Sequence, residues 1–160
     1  MPDFQFLRQE ARATLDDRYR VTIPAPLIAA RLPRPQKCVL VKERPFCVSV
    51  WDAETWQEET ETAISLVEQK MASHRLREKR EEVARLGRLL AAQHQNTRLD
   101  PRGRLRIMEG FRDFLGIEPG GEAVIIAGAA SVELWRPDAW NTYLHEHMPS
   151  FRRLLEELAG

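Results

Sequence analysis

The chain has 160 residues, with 24 basic and 24 acidic side chains and a formal net charge of zero. That length suits one medium domain or two very small ones, and neutrality excludes a uniformly basic coat while leaving room for local charged patches. Hydrophobic residues make up 43% and charged residues 30%, which excludes a disordered chain, and no apolar run approaches the ~20 residues of a membrane helix.

The N-terminal Met1–Gln5 lacks the basic and apolar regions of a secretory leader, so a cytosolic protein is expected. An extended stretch runs from about Leu7 to Leu15, and a second covers Val21–Ile23. The polar loop Asp16-Asp17-Arg18-Tyr19-Arg20 separates them. Pro24 and Pro26 end the second strand, and Leu27-Ile28-Ala29-Ala30 can form a short helix. Cys38–Val41 and Val48–Trp51 read as a hairpin around a short charged turn containing Pro45. Asp52 is a good N-cap for the helix that follows, in which Trp56, Thr60, Ala63, Val67 and Met71 trace one stripe at 3.6-residue spacing. Its first turns are acidic, with Glu54, Glu58, Glu59 and Glu61. A further helix is expected over about Arg75–Ala92. Its basic side chains are interspersed with glutamates, which favours a solvated, ion-paired face over a nucleic-acid surface.

The second half repeats the first at an offset of 84 residues, Asp16 to Asp100. Leu15-Asp16-x-Arg18-x-Arg20 lies over Leu99-Asp100-x-Arg102-x-Arg104, and Pro101-Arg102-Gly103 is strong turn chemistry. Phe111–Leu115, closed by Gly116, matches the first short helix. Ala123–Ile126 and Val132–Trp135 match the hairpin, and Pro137 and Asp138 suit the first turn of the next helix. The four tryptophans form two pairs at that offset, Trp51 with Trp56 and Trp135 with Trp140. Such placement favours packing between the copies over base stacking. After Met148-Pro149, Phe151, Leu154, Leu155 and Leu158 imply a short amphipathic tail expected to seal a neighbouring surface. Two copies are too few for a solenoid, so a closed pair with one shared core is expected.

Little points to catalysis. Cys38 and Cys47 fall out of register across their hairpin and read as free thiols. His145 and His147 are two apart on a helix and cannot chelate one ion together, so no metal or cofactor is expected. There is no Gly-rich phosphate loop and no supported Ser–His or Cys–His pairing, and Asp16 and Asp100 are flanked by arginines that favour plain ionised carboxylates. The chain is therefore not expected to be an enzyme.

The doubled Leu-Asp-x-x-x-Arg motif, each copy followed by a hairpin ending in Trp and a helix starting near a second Trp, resembles the MraZ proteins. The similarity runs from Phe6 to about Leu144. Those are bacterial transcriptional regulators of the division and cell-wall gene cluster. The resemblance implies an α+β fold of two tandem swapped-hairpin (SpoVT/AbrB-like) repeats closing a pseudo-dimeric β-barrel with flanking helices. Residues 5–72 would form the first repeat with its helix, 73–92 a connecting helix, 93–148 the second repeat and 149–160 a C-terminal amphipathic helix. It also implies a cytoplasmic, nucleoid-associated repressor that binds double-stranded DNA, its own promoter included, as a homo-oligomeric ring with no membrane partner. The motif arginine's role in operator binding falls on Arg20 and Arg104.

Around the motif, Arg98, Arg102, Arg104 and Arg106 face only Asp100 in sequence, while Arg18 and Arg20 stand beside Asp16 and Asp17. A modest reading makes each Asp/Arg pair a cross-turn ion pair worth about 0–1 kcal/mol. The sharper one has arginine addressing phosphate or a guanine edge while aspartate orients it. The clustering favours the second. Arg18, Arg20, Arg102 and Arg104 are the expected DNA contacts, and Asp16 and Asp100 shape the loops. The chain departs from the family pattern in three places. Tyr19 stands where a glycine precedes the arginine, and either forbids a positive φ or costs strain, which opens the first loop to a different shape. Met108 replaces the proline corresponding to Pro24. The turn at Glu43-Arg44-Pro45 is short and charged. Alternative readings are an antitoxin-like module that holds another protein, or an assembly-only paralogue that has lost its operator.

Overall fold

The structure is a computed structural model that describes residues 7–160. Met1–Gln5, on which the leader argument rests, and Phe6, part of the family's opening, lie outside the described residues. So do the first two positions of the 5–72 segment. The fold is α+β. Its strands are β1 (Ala11–Thr14), β2 (Arg20–Thr22), β3 (Cys38–Arg44), β4 (Cys47–Asp52), β5 (His94–Thr97), β6 (Arg104–Arg106), β7 (Glu122–Ala127) and β8 (Ser131–Trp135). Its helices are α1 (Ala25–Arg31), α2 (Ala53–Ala72), α3 (Arg80–Gln93), α4 (Glu109–Leu115), α5 (Pro137–His147) and α6 (Phe151–Ala159).

Six strands form one antiparallel sheet in the order β1-β7-β8-β4-β3-β5, and β2 and β6 form a separate antiparallel ribbon. Partners are exchanged between the halves: β1 pairs with β7 of the second half and β5 pairs with β3 of the first. The two hairpins meet where β4 pairs with β8, Val50 opposite Val132. The sheet is open. Its edges β1 and β5 are not joined, so the expected closed barrel does not form among the described residues. The reason lies in the chain path. Both edge strands run into the loops that lead to β2 and β6, and these two strands pair with each other rather than bridging the edges.

Alternation along the strands sets the layers. Leu40, Val48, Val50, Ile125, Val132 and Leu134 point to one side, where they meet Val21, Ile23, Leu105 and Ile107 around the ribbon. Leu27 of α1 and Phe111 and Leu115 of α4 join the same cluster. On the opposite face Cys47, Val124, Trp135 and Trp140 make a smaller cluster under α5. Central strands buried on both faces read as continuous apolar runs, as Cys38–Val41 does. Cys38 and Cys47 are free and buried. Loss of hydration pushes the Cys38 thiol up to about 12 and the Cys47 thiol higher still, so neither is a reactive thiolate.

Local signals hold at several helix ends. Asp52 caps α2 by accepting from the Thr55 N–H at 3.3 Å, and Gly116 closes α4 at φ 73°. Three expectations need correction. The helix expected from Arg75 begins at Arg80, because His74 adopts φ 60° and ends α2. There the Arg75 N–H donates to the Lys70 carbonyl and the His74 N–H to the Met71 carbonyl. Of the tryptophans, only Trp135 and Trp140 are buried; Trp51 and Trp56 are half-exposed, although each pair meets edge to face at 5.2–5.4 Å. The α6 stripe seals no surface among the described residues: Phe151, Leu154, Leu155 and Leu158 all remain more than half exposed.

Leu105 is wholly buried at the centre of the ribbon, opposite Val21. Leu105→Ala is expected to lower unfolding free energy by about 2–5 kcal/mol, read by urea titration followed by circular dichroism.

Candidate nucleic-acid interface

The Asp-x-x-x-Arg loops are built alike, from the backbone outward. In the first, the Asp16 N–H donates to the Arg20 carbonyl at 2.9 Å and the Tyr19 N–H to the Asp16 carbonyl at 3.0 Å. In the second, Asp100 and Arg104, and Gly103 and Asp100, make the same bonds at 3.0 and 2.9 Å. Both loops need a left-handed residue before the arginine, as hairpin loops with a bulge of this kind do. Gly103 supplies φ 76° without cost; Tyr19 takes φ 58° against its preference. The first loop therefore has the shape of the second despite its side chain.

What holds Tyr19 there comes from the other half. The Arg112 guanidinium lies over the Tyr19 ring at 3.9 Å, anchored by its Nε on the Ile107 carbonyl at 3.0 Å. At the corresponding place under the second loop sits Ile28, whose Cδ1 would be 2.9 Å from a Cβ added at Gly103. The first loop thus accommodates a ring, whereas a side chain in the second would have to displace the tip of Ile28. The ladder reaches past the strands at both ends: the Ile107 N–H donates to the Tyr19 carbonyl at 2.7 Å, and the Ile23 N–H to the Gly103 carbonyl at 2.9 Å. Each left-handed residue is thereby tied to the opposite half, and the two loops are held on one ribbon.

Each aspartate is saturated by its own loop. Asp16 Oδ1 accepts from the Arg18 and Arg20 N–H groups at 2.9 and 2.8 Å, and Oδ2 from Arg20 Nε at 2.9 Å. Asp100 accepts likewise from Arg102, Arg104 and Arg104 Nε at 2.9, 3.0 and 2.7 Å. Both carboxyls sit below their ordinary value of 3.8. The largest cause is the backbone N–H of the motif arginine; partial burial opposes it, and the remaining loop hydrogen bonds reinforce it.

The arginines differ in what is left to offer. Arg20 and Arg104 use Nε on aspartate, and their Nη groups make no hydrogen bond or ion pair among the described residues. Arg18 and Arg102 are exposed at the tips, held only through their backbone N–H. Across the ribbon Arg20 faces Arg106, and Thr22 faces Arg104, while Val21 and Leu105 point to the core. The outer face therefore carries three arginines and a threonine, and Arg106 joins the candidates. The arginine cluster around Asp100 and the alternation Arg104-Leu105-Arg106 were its signals in the sequence, whereas nothing local announced Arg112 or Ile28.

The loops can be tested by substitution and by pH. Tyr19→Ala keeps the unfavourable φ and loses the stacked ring, so it is expected to be less stable than Tyr19→Gly by about 1 kcal/mol, measured by denaturant unfolding. A carboxylate with a lowered folded value stabilises fully above its unfolded value and loses that contribution as pH falls through the folded one. The loops should accordingly keep their shape at pH 5 and loosen only below 3.8; a carboxyl NMR titration placing either midpoint above that value would contradict the geometry.

The family model described as "MraZ protein, putative antitoxin-like" matches residues 90–159. The chain is 28% identical over 153 residues to a protein named transcriptional regulator MraZ from Thermus thermophilus, covering 94% of this chain and 97% of that one. It is 26% identical over 149 residues to the protein of the same name from Treponema denticola, covering 93% and 94%. The Corynebacterium kroppenstedtii protein of that name is 34% identical over 64 residues, 40% of this chain and 43% of its own. The motif-bearing second half lies inside the family match, and the Thermus thermophilus and Treponema denticola relatives align along almost the whole length.

Proposed function

We propose that the chain is a sequence-specific DNA-binding transcriptional regulator, acting as a repressor on the division and cell-wall gene cluster and on its own promoter. One observation carries the reading: two aspartate-buttressed arginine loops stand on one antiparallel ribbon, with their Nη groups uncommitted among the described residues. A two-stranded ribbon fits the major groove of B-form DNA, and an arginine with free Nη groups can address the O6 and N7 of guanine or a phosphate. Arg18, Arg20, Arg102 and Arg104 make the contacts; Asp16 and Asp100 orient them. The names carried by the relatives support a regulatory role.

Under this reading residues 5–72 and 93–148 are two SpoVT/AbrB-like swapped-hairpin repeats, with 73–92 as connector and 149–160 as a C-terminal helix. The pairing of β1 with β7 and β5 with β3 supports the swap. The protein works in the cytoplasm at the nucleoid, without catalysis. A neutral protomer with a few phosphate contacts binds weakly alone, so affinity comes from a homo-oligomer, a ring, that sets several loops side by side. A second reading, an antitoxin-like module that holds another protein, draws on the exposed apolar stripe of α6.

Mobility shift on the duplex directly upstream of the chain's own gene, over a salt series, tests the proposal. Binding should fall steeply as salt rises, whereas apolar partner binding barely responds. Arg20→Ala and Arg104→Ala should each weaken binding by about 1–3 kcal/mol, roughly 5- to 150-fold. Thermal stability should change little, because a partly exposed surface ion pair of this kind contributes only about 0–1 kcal/mol. Undiminished binding by both variants refutes the assignment.

A further inference from the structure

The motif is repeated, but its flanks are not. At the positions where the second half carries Arg98 and Arg106, the first carries Thr14 and Thr22, and Asp17 stands where Pro101 does. The ribbon register turns this difference into a local field. Arg106 lies directly opposite Arg20, two like charges on neighbouring positions of the outer face, whereas Thr22 lies opposite Arg104. Like charges directly across a strand pair are destabilising. Beside them, against the end of β5, is a depression of about 500 Å³ lined by Arg20, Arg98, Arg104 and Arg106, with Gln36 among its polar residues and Asp100 as its only carboxylate.

Asp100 offsets only one of the four arginine charges on this surface. Both its oxygens are engaged by Arg104 and by the two loop N–H groups. Arg98 and Arg106 are exposed and make no hydrogen bond or ion pair among the described residues. An anion seated here gains several charge-assisted donors and relieves the Arg20–Arg106 repulsion.

We propose that this depression, bordered by the motif arginines, is a phosphate site in which two residues outside the motif, Arg106 and Arg98, clamp one backbone phosphate of duplex DNA. The site belongs to the β5 side of the ribbon alone, so the two loops are unequal partners. The second is anchored electrostatically to the backbone, and the first engages DNA without a comparable anchor. The inference rests on the DNA-binding reading above and adds to it which residues carry the salt-dependent part.

The test is the same mobility shift, with the full chain and the paired variant R98T/R106T, which leaves both motifs intact. Removing the partner of one phosphate should reduce the slope of log affinity against log salt by about 0.9. The pair should therefore flatten the curve by that amount or more, and weaken binding at low salt. R106K keeps the charge and should keep the slope, which controls for folding. The transplant R106T/T22R has the wild-type net charge and should stay flattened. A wild-type slope in R98T/R106T, or full recovery in the transplant, overturns the site in favour of bulk charge. Absence of any salt-sensitive duplex binding by the wild type instead sinks the DNA-binding reading itself. Titration with millimolar inorganic phosphate, followed through the arginine Nε resonances, separates the two sources of the anion: saturation without DNA would assign the depression to a free small anion.

Discussion

The structure turns on two backbone carbonyls that face the wrong way for an ordinary strand. Tyr19 and Gly103, both left-handed, direct their carbonyls to the N–H groups of Ile107 and Ile23. Those two bonds extend the short pairing of β2 with β6 and lock each loop to the opposite half. An extended residue at either position would turn the carbonyl away, shorten an already short ladder and let the loops separate. Every property ascribed to the outer face, from the spacing of its arginines to their common orientation, presupposes that lock.

On that frame the aspartates resolve what looks like a competition. A carboxylate that pairs with an arginine ordinarily reduces what the arginine can offer to DNA. Here one oxygen is filled by two backbone N–H groups and the other takes only Nε. The guanidinium is thereby tethered through Nε while its Nη groups stay uncommitted among the described residues, so less rotamer entropy would remain to be lost on contact. Under the proposed function, the structural ion pair and the DNA contact would use two edges of the same group.

The two halves are similar in backbone and dissimilar in surface. Tyr19 is held by stacking on Arg112, whereas Gly103 lies against the tip of Ile28, which an added side chain would have to displace. The first tryptophan pair stays half-exposed near His94, at 5.7 Å from Trp56, while the second is buried under α5 with Tyr143. Such divergence is what a repeated scaffold permits once the copies need not read identical neighbours. The long helices add a different asymmetry: α2, α3 and α6 bury no residue and expose Leu66, Met71, Leu89 and Leu158. Under the proposed assembly, other copies would cover these apolar faces.

Residues at short range determined much of this by themselves. Asp16 and Asp100 with their arginines, Asp52 as an N-cap, Gly116 as a stop, and the free register of Cys38 and Cys47 all follow from contacts within a few positions or from strand alternation. The doubled motif, read as a sequence, also named the residues that the proposed interface uses. Tertiary structure decided the rest. The left-handed Tyr19 requires a stacking partner from the far half of the chain, and the meeting of Arg20 with Arg106 requires a register set by the buried Val21 and Leu105. The open sheet follows from β2 and β6 choosing each other. Local chemistry favours a turn or a cap whatever surrounds it; the energy of a cross-chain contact exists only after folding has delivered the partner, so no spacing along the chain could announce it.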